Sequence, residues 1–256
     1  MAFWGQWTVR SSVAAWGAAA LLSVGGGAQA LTTTLPTTYL DANSVFTFNA
    51  DTLSVMSLFN TTVSGLGNTT QLSGPDLAFN LPVTEVTTQL GLLPPSLTPV
   101  SGKAIGSALD IKAKNGELIL ANFVVDFKRN VLSADFTSAA GTLYNFDVYT
   151  FNVKDGLHLS TDGGLSMKMS LDQMYLTTDA QNRFASALKL PTFAKVALST
   201  LDFGTLNINI NPSLRFGVSD SPYRASMVPE LPPVAMLTLG GLAMLAVVRR
   251  RLHDDA

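Results

Sequence analysis

The chain has no cysteine and two histidines, and charged residues make up only 13% of its 256 positions. Without thiols, disulfide frameworks, thiolate metal sites and a cysteine nucleophile are excluded. Two histidines, one of them His253 near the C-terminus, leave little for zinc ligation or imidazole acid–base chemistry. A net charge of −2 lacks the basic excess that nucleic acid demands, so no such partner is expected. The sequence contains no P-loop, no Gly-x-Ser-x-Gly elbow and no His-Glu-x-x-His pair. No catalytic residue, metal ligand or cofactor is expected, and the protein reads as a non-enzyme.

What is present is concentrated at the ends. Arg10 precedes the apolar stretch Val13 to Val24, and Ala28-x-Ala30 follows it. A basic residue, a short apolar run and small residues at −3 and −1 make a secretory signal peptide. Residues 1–30 are therefore expected to be removed by signal peptidase after Ala30, outside the cytoplasm. At the other end Val228-Pro229-Glu230 leads through Leu231-Pro232-Pro233 into the apolar run Val234 to Val248, which Arg249-Arg250-Arg251 closes. This is a helix breaker, a transmembrane helix over about 232–248 and a positive cytoplasmic stop. The precursor is expected to sit type I in the inner membrane.

Val228, Pro229 and Glu230, the short span and the arginine cluster Arg249, Arg250, Arg251 resemble the PEP-CTERM sorting signal of Gram-negative bacteria. The resemblance covers residues 228–251. It implies that segment 228–256 is processed by an exosortase-like membrane protease, and that the mature protein reaches the cell surface or extracellular matrix. It also implies a biofilm setting rich in exopolysaccharide. A plain membrane-anchored envelope protein is the alternative.

Between the signals, residues 31–218 read as a single β-rich extracytoplasmic domain, with 219–227 as a linker. No Lys or Arg occurs from 31 to 102, and charge of both signs begins at Lys103. Pro94-Pro95 and Pro99 read as one long loop there rather than a domain boundary. Beyond it the period is two. Ile105, Ser107, Leu109, Ile111 and Ala113 share a face, Asn115-Gly116 reads as a type I′ hairpin turn, and Ile119, Ala121, Phe123, Val125 and Phe127 return on the inner face. Leu132, Ala134 and Phe136 continue. The parity switch between Tyr144-Phe146-Val148 and Tyr149-Phe151-Val153 reads as a β-bulge. Leu206, Ile208 and Ile210 alternate with Asn207, Asn209 and Asn211, and Leu214, Phe216 and Val218 suggest a last strand. About ten strands predict an all-β, mostly antiparallel sandwich or barrel. Two short helices interrupt it. One carries Thr52, Val55, Met56 and Phe59 at helical spacing; the other follows a Thr178-x-x-Gln181 capping box and carries Ala180, Phe184, Ala187 and Leu188.

Candidates for chemistry are few. Asp126, Asp135 and Asp147 lie on successive strands and would suit glycoside hydrolysis if two of them met; as outward residues their default is a solvated face. His158 alternates with apolar neighbours and reads as a solvent-facing strand position, and Asp162-Gly163-Gly164 as a turn. Tyr144, Tyr149 and Phe151 read as core rather than a sugar platform. The leading functional reading is a structural or adhesive exported protein associated with exopolysaccharide. A carbohydrate-binding β-sandwich using Asn207, Asn209 and Asn211 is the second, and a secreted hydrolase the third.

Overall fold

The computed structural model describes residues 31–92, 95–160 and 166–225. The expected signal peptide, sorting signal and transmembrane helix, with Ala28, Ala30, Val228–Glu230 and Arg249–Arg251, lie outside these residues, as does the Asp162-Gly163-Gly164 turn. Among the described residues no helix is long and apolar enough to cross a membrane.

Among the described residues twelve strands form one antiparallel sheet. They are β1 (Leu31–Pro36), β2 (Leu40–Phe48), β3 (Thr62–Gly67), β4 (Thr70–Leu72), β5 (Ala78–Pro82), β6 (Glu85–Leu92), β7 (Pro95–Ala113), β8 (Gly116–Asp126), β9 (Val131–Ser138), β10 (Gly141–Ser160), β11 (Ser166–Leu176) and β12 (Gly204–Leu214). Three short helices accompany them: α1 (Ala50–Leu58), α2 (Thr178–Ala187) and α3 (Thr192–Thr200). The sheet order is β1-β6-β7-β8-β9-β10-β11-β12-β2-β5-β4, with β3 on β7 beside it. The mostly antiparallel β architecture is as expected, and its form is one curled half-barrel sheet rather than a sandwich or a full barrel. Its two sides are stitched where the chain passes from β5 to β6: Val83 N donates to Ala42 O and Thr84 N to Lys103 O, each at 2.8 Å.

The curl comes from bulges. An extra residue bends a strand and tightens its twist. Register shifts occur between Ala104 and Ala108, Ala121 and Val124, and Leu143 and Phe146, on successive strand pairs. Gly106, Asn122 and Asn145 sit in them with φ of 79°, 54° and 49°. Gln173, at φ 52°, bends β11 in the same way. Beyond each bulge the two faces of the strand are exchanged.

Several sequence expectations change for this reason. Phe123, Val125 and Phe127 do face the main core, but before the Asn122 bulge it is Leu118 and Leu120 that point inward. Ile119 and Ala121 lie on the opposite face with Ala108. On β7, Leu109, Ile111 and Ala113 keep the expected face, while Ala104 takes the inner place expected for Ile105. The β10 bulge is present, with Phe146, Val148, Tyr149 and Phe151 all turned to the core. The proline-rich stretch is no long loop: Pro99 pairs with Thr88 inside β7. Leu214 ends β12 and Phe216 lies beyond it at 78% exposure, so no thirteenth strand forms.

The β7–β8 turn is displaced as well. Ala113 pairs with Gly116, so Lys114 and Asn115 are the central residues, and neither has positive φ. The turn is therefore not type I′. Gly116 is needed for a different reason: a Cβ there would strike the Ala187 carbonyl oxygen and come within 2.7 Å of Leu188 Cα. Both expected helices form. The α2 cap is Thr177, whose Oγ1 accepts from Ala180 N at 3.2 Å, one residue before the expected Thr178. Gln181 Nε2 reaches back to Leu176 O at 3.0 Å. Helix α3 was not foreseen; it packs on α2 and buries Ala194 and Leu198.

Residues 219–225, read as a linker, are fastened to the outer face of β7 and β8. Ser219 and Asn68 exchange hydrogen bonds at 2.7 and 3.1 Å, and Tyr223 does the same with Asn122 at 2.8 and 3.0 Å. Tyr223 and Ala225 cover Ala108, Ile119 and Ala121.

Candidate functional site

The three aspartates marked in the sequence are spent on structure. Asp126 accepts from Lys128 N and Arg129 N at 2.9 and 3.1 Å, holding the β8–β9 turn. Its Oδ2 also pairs with Arg129 Nε at 2.8 Å, and Arg129 Nη1 reaches Asp147 Oδ2 at 2.7 Å. Asp126 and Asp147 thus meet only through a guanidinium. The Arg129 hydrogen bond holds the Asp126 carboxyl below its usual range. For Asp147, burial pushes upward, but the Ser133 hydroxyl at 2.6 Å and Arg129 outweigh it and the net shift is down. A general acid needs the opposite shift. Asp135 accepts from Asn122 Nδ2 at 2.7 Å and Asn145 N at 2.9 Å, tying two bulges together.

The other marked residues divide. His158 is exposed on β10, its Nδ1 3.1 Å from Gly156 O, as expected. Tyr149 and Phe151 are buried, but Tyr144 is 79% exposed because the Asn145 bulge turns it out. Asn207 and Asn209 point outward from β12, and Asn207 accepts from Ser170 Oγ at 2.9 Å. Asn211 donates to Asp41 Oδ2 at 3.1 Å. The aromatics most exposed among the described residues, Tyr39, Tyr144, Phe193 and Phe216, sit on different elements and form no flat row beside these asparagines. Among the described residues no three acidic or histidine side chains gather in a form that could hold a metal.

The feature the sequence did not reveal is inside. At one end of the half-barrel the core stops short and leaves a void of about 50 Å³. Its floor is Phe123, Leu132, Met169 and Leu206, and its upper wall includes Val86, Thr88 and Pro99. Gly102 stands in that wall between Val86 and Val125, and a Cβ built on it meets nothing within 4 Å. A strand glycine next to Ser101 and Lys103 gave no sequence signal for this.

A second void of about 40 Å³ lies at the opposite end, under α1 and α3, lined by Phe48, Phe184, Phe203 and Tyr149. Burial pushes the Tyr149 phenol well above its ordinary value, so it stays a neutral hydroxyl. Phe184 packs between Phe136, tilted at 5.8 Å, and Phe203, edge-on at 6.5 Å, which closes this end.

No family model and no curated protein matches the chain. Two solved structures are similar in part. One is the C-terminal domain of HtaA from Corynebacterium glutamicum, 12% identical, covering 67% of this chain and 97% of that one, with a TM-score of 0.43. The other is the heme binding protein HtaB from the same organism, 9% identical, covering 73% and 98%, with a TM-score of 0.40.

Proposed function

We propose that the chain is an exported surface or extracellular-matrix protein, structural or adhesive rather than catalytic, which associates with exopolysaccharide after an exosortase-like protease removes residues 228–256. The observation that supports this is the docked strap. Every described strand and helix ends by Leu214, and the strap's hydrogen bonds to Asn68 and Asn122 come from Ser219 and Tyr223, all ahead of Val228-Pro229-Glu230. Cutting at the sorting motif therefore breaks none of the described contacts, and the β-domain survives its own release. A polar outer surface also suits a hydrated matrix: Asn207 and Asn209 line β12, and Thr34 meets Thr87 across β1 and β6 at 3.0 Å.

The test is a blot of inner-membrane and extracellular fractions, with an epitope inserted at Ala139–Ala140 in the exposed β9–β10 turn. The unmodified protein should lose its tail and leave the membrane, and deletion of Pro229 and Glu230 should trap full-length precursor. Full-length protein that stays in the membrane of a host with active exosortase would return the reading to a plain anchor.

A further inference from the structure

We propose that the void beneath Gly102 is a binding chamber for the end of an unbranched acyl chain. About 10–15 Å³ of space open to a water-sized sphere holds one water, and a methylene is of similar size, so a void of about 50 Å³ takes a few methylenes and no headgroup. The chain has left this space open at a position where filling it is sterically free. Gly102 has ordinary φ and room for a side chain, and its neighbours on both sides, Val86 and Val125, point into the same space. Natural cores do not keep such gaps without cost, since each missing contact lowers stability.

The wall then runs outward rather than closing. Val86, Thr88 and Leu90 alternate onto the chamber face of β6. Their partners Leu35, Thr33 and Leu31 on β1 take the same face, and Leu97 on β7 stands opposite Leu90. Leu31, Leu90 and Leu97 thus lie side by side, with Leu31 60% and Leu90 40% exposed. An apolar track leads from solvent to the void.

The chemistry of the lining selects the guest. Leu157, Met167, Ile208 and Ile210 supply the far side; the rings that line the chamber, Phe123 and Phe127, have no aromatic opposite them in that lining to clamp a planar molecule, and Phe151 of β10 packs edge-on against Phe127 at 6.1 Å outside it. Thioether side chains adapt to a flexible guest. A sugar finds little to bind, because the Ser44 hydroxyl is committed to Leu81 O at 2.7 Å and Thr88 sets a single hydroxyl on the chamber face of β6 among apolar side chains. No charge reaches in either: Lys103 pairs with Glu85 at 2.7 Å, on strand positions that alternate with the inward Gly102 and Val86. The polar head of the ligand therefore stays at the leucine rim.

The experiment uses cells producing the full-length chain and fed palmitate that carries a photoactivatable diazirine. After irradiation the protein is purified and labelled peptides are mapped. Labels should fall on the β11 and β12 peptides that carry Met167, Met169, Ile208 and Ile210. Gly102→Leu should cut that labelling at least tenfold while leaving labels on the apolar run 234–248 of the precursor unchanged. Leu90→Glu, at an exposed rim position that the fold does not need, should cut it several-fold and serves if Gly102→Leu does not fold. Labels confined to 234–248, or chamber labels that persist in both variants, would overturn the proposal. Preferential labelling of the same peptides by a diazirine-bearing pyrene would overturn the acyl assignment.

Discussion

At the scale of single residues, Asn122 shapes the sheet at the β8 bulge. It combines a left-handed backbone with four hydrogen bonds, to Gly106 N at 3.1 Å, Tyr223 N at 2.8 Å, Tyr223 O at 3.0 Å and Asp135 at 2.7 Å. Asparagine accepts this conformation where a β-carbon usually resists it. The two contributions separate by substitution. Asn122→Gly keeps the backbone and loses the bonds; Asn122→Ala loses both. Urea unfolding should place Ala about 1 kcal/mol or more below Gly, and Gly itself about 2 kcal/mol below the natural protein. Equal stabilities would mean the φ is not held in solution. Arg129 gives a pH-dependent case. Asp126 and Asp147 both have folded pKa values below their unfolded ones. Their contribution is therefore complete above the ordinary carboxylate value of 3.8 and is lost as pH falls through the lowered folded values. Arg129→Gln should flatten the acid limb of stability against pH below about 4. The effect should be modest and salt-sensitive, since Arg129 is half exposed.

At the scale of elements, the bulges decide which half of a strand the sequence discloses. On β8 they predict a sharp contrast. Phe123→Ala opens the main core and should cost roughly 3–5 kcal/mol. Ile119→Ala touches only the small outer cluster under Tyr223 and Ala225. It should cost about 2 kcal/mol or less, because that cover is a single strap. Thermal melts of the two variants check this, and a larger loss for Ile119 would place it inside. Reading period two from Phe127 backwards gives the right face as far as Phe123 and the wrong one at Ala121 and Ile119. The pattern does not announce the slip, because Asn122 is a polar residue where a regular strand also permits one. The same holds at Tyr144, which Asn145 turns outward. Clean alternation without a bulge, as in Leu206, Ile208 and Ile210, was fully legible. So were α1 and α2, whose spacing is intrinsic to the helix. Gly116 stands out in the sequence for the wrong property, since a tight approach of α2 leaves no local trace there. The chamber was invisible for a related reason: a void is what strands distant in sequence together fail to fill, and Gly102 reads like any strand glycine.

At the scale of the whole molecule, the half-barrel depends on one corner, and Arg215 occupies it. Four residues more lie on the β1–β2 side than on the β5–β6 side between the pairs Pro36–Glu85 and Asn43–Pro82. Carbonyls at this kink turn away from regular ladder partners. The Arg215 guanidinium collects them: Nη1 donates to Ala42 O and to Asn43 Oδ1 at 3.2 Å, and Nη2 to Val83 O at 2.9 Å and Thr37 O at 3.2 Å. Burial lowers its pKa and the nearby Asp41 opposes that, yet an arginine remains charged throughout the accessible range. The same residue is the root of the strap, since Arg215 N donates to Tyr39 O at 2.9 Å and Ser219 lies four positions on. Arg215→Met keeps an apolar stem and removes every guanidinium donor, leaving the Ala42, Thr37 and Val83 carbonyls with one partner each, Val83 N, Leu40 N and Thr37 Oγ1. It should lower stability by about 2–4 kcal/mol, the cost of several charge-assisted bonds less what water restores. Arg215→Lys keeps the charge but cannot span carbonyls from both sides of the seam, so it should recover less than half of that loss. The urea midpoint should fall while the slope stays constant, because the same surface is exposed on unfolding. Limited proteolysis should also cut between 216 and 225 sooner in Arg215→Met than in Arg215→Lys. A midpoint shift worth less than about 0.5 kcal/mol would show that the seam closes without the guanidinium. The curl would then rest on the aligned bulges of β7, β8 and β10 alone.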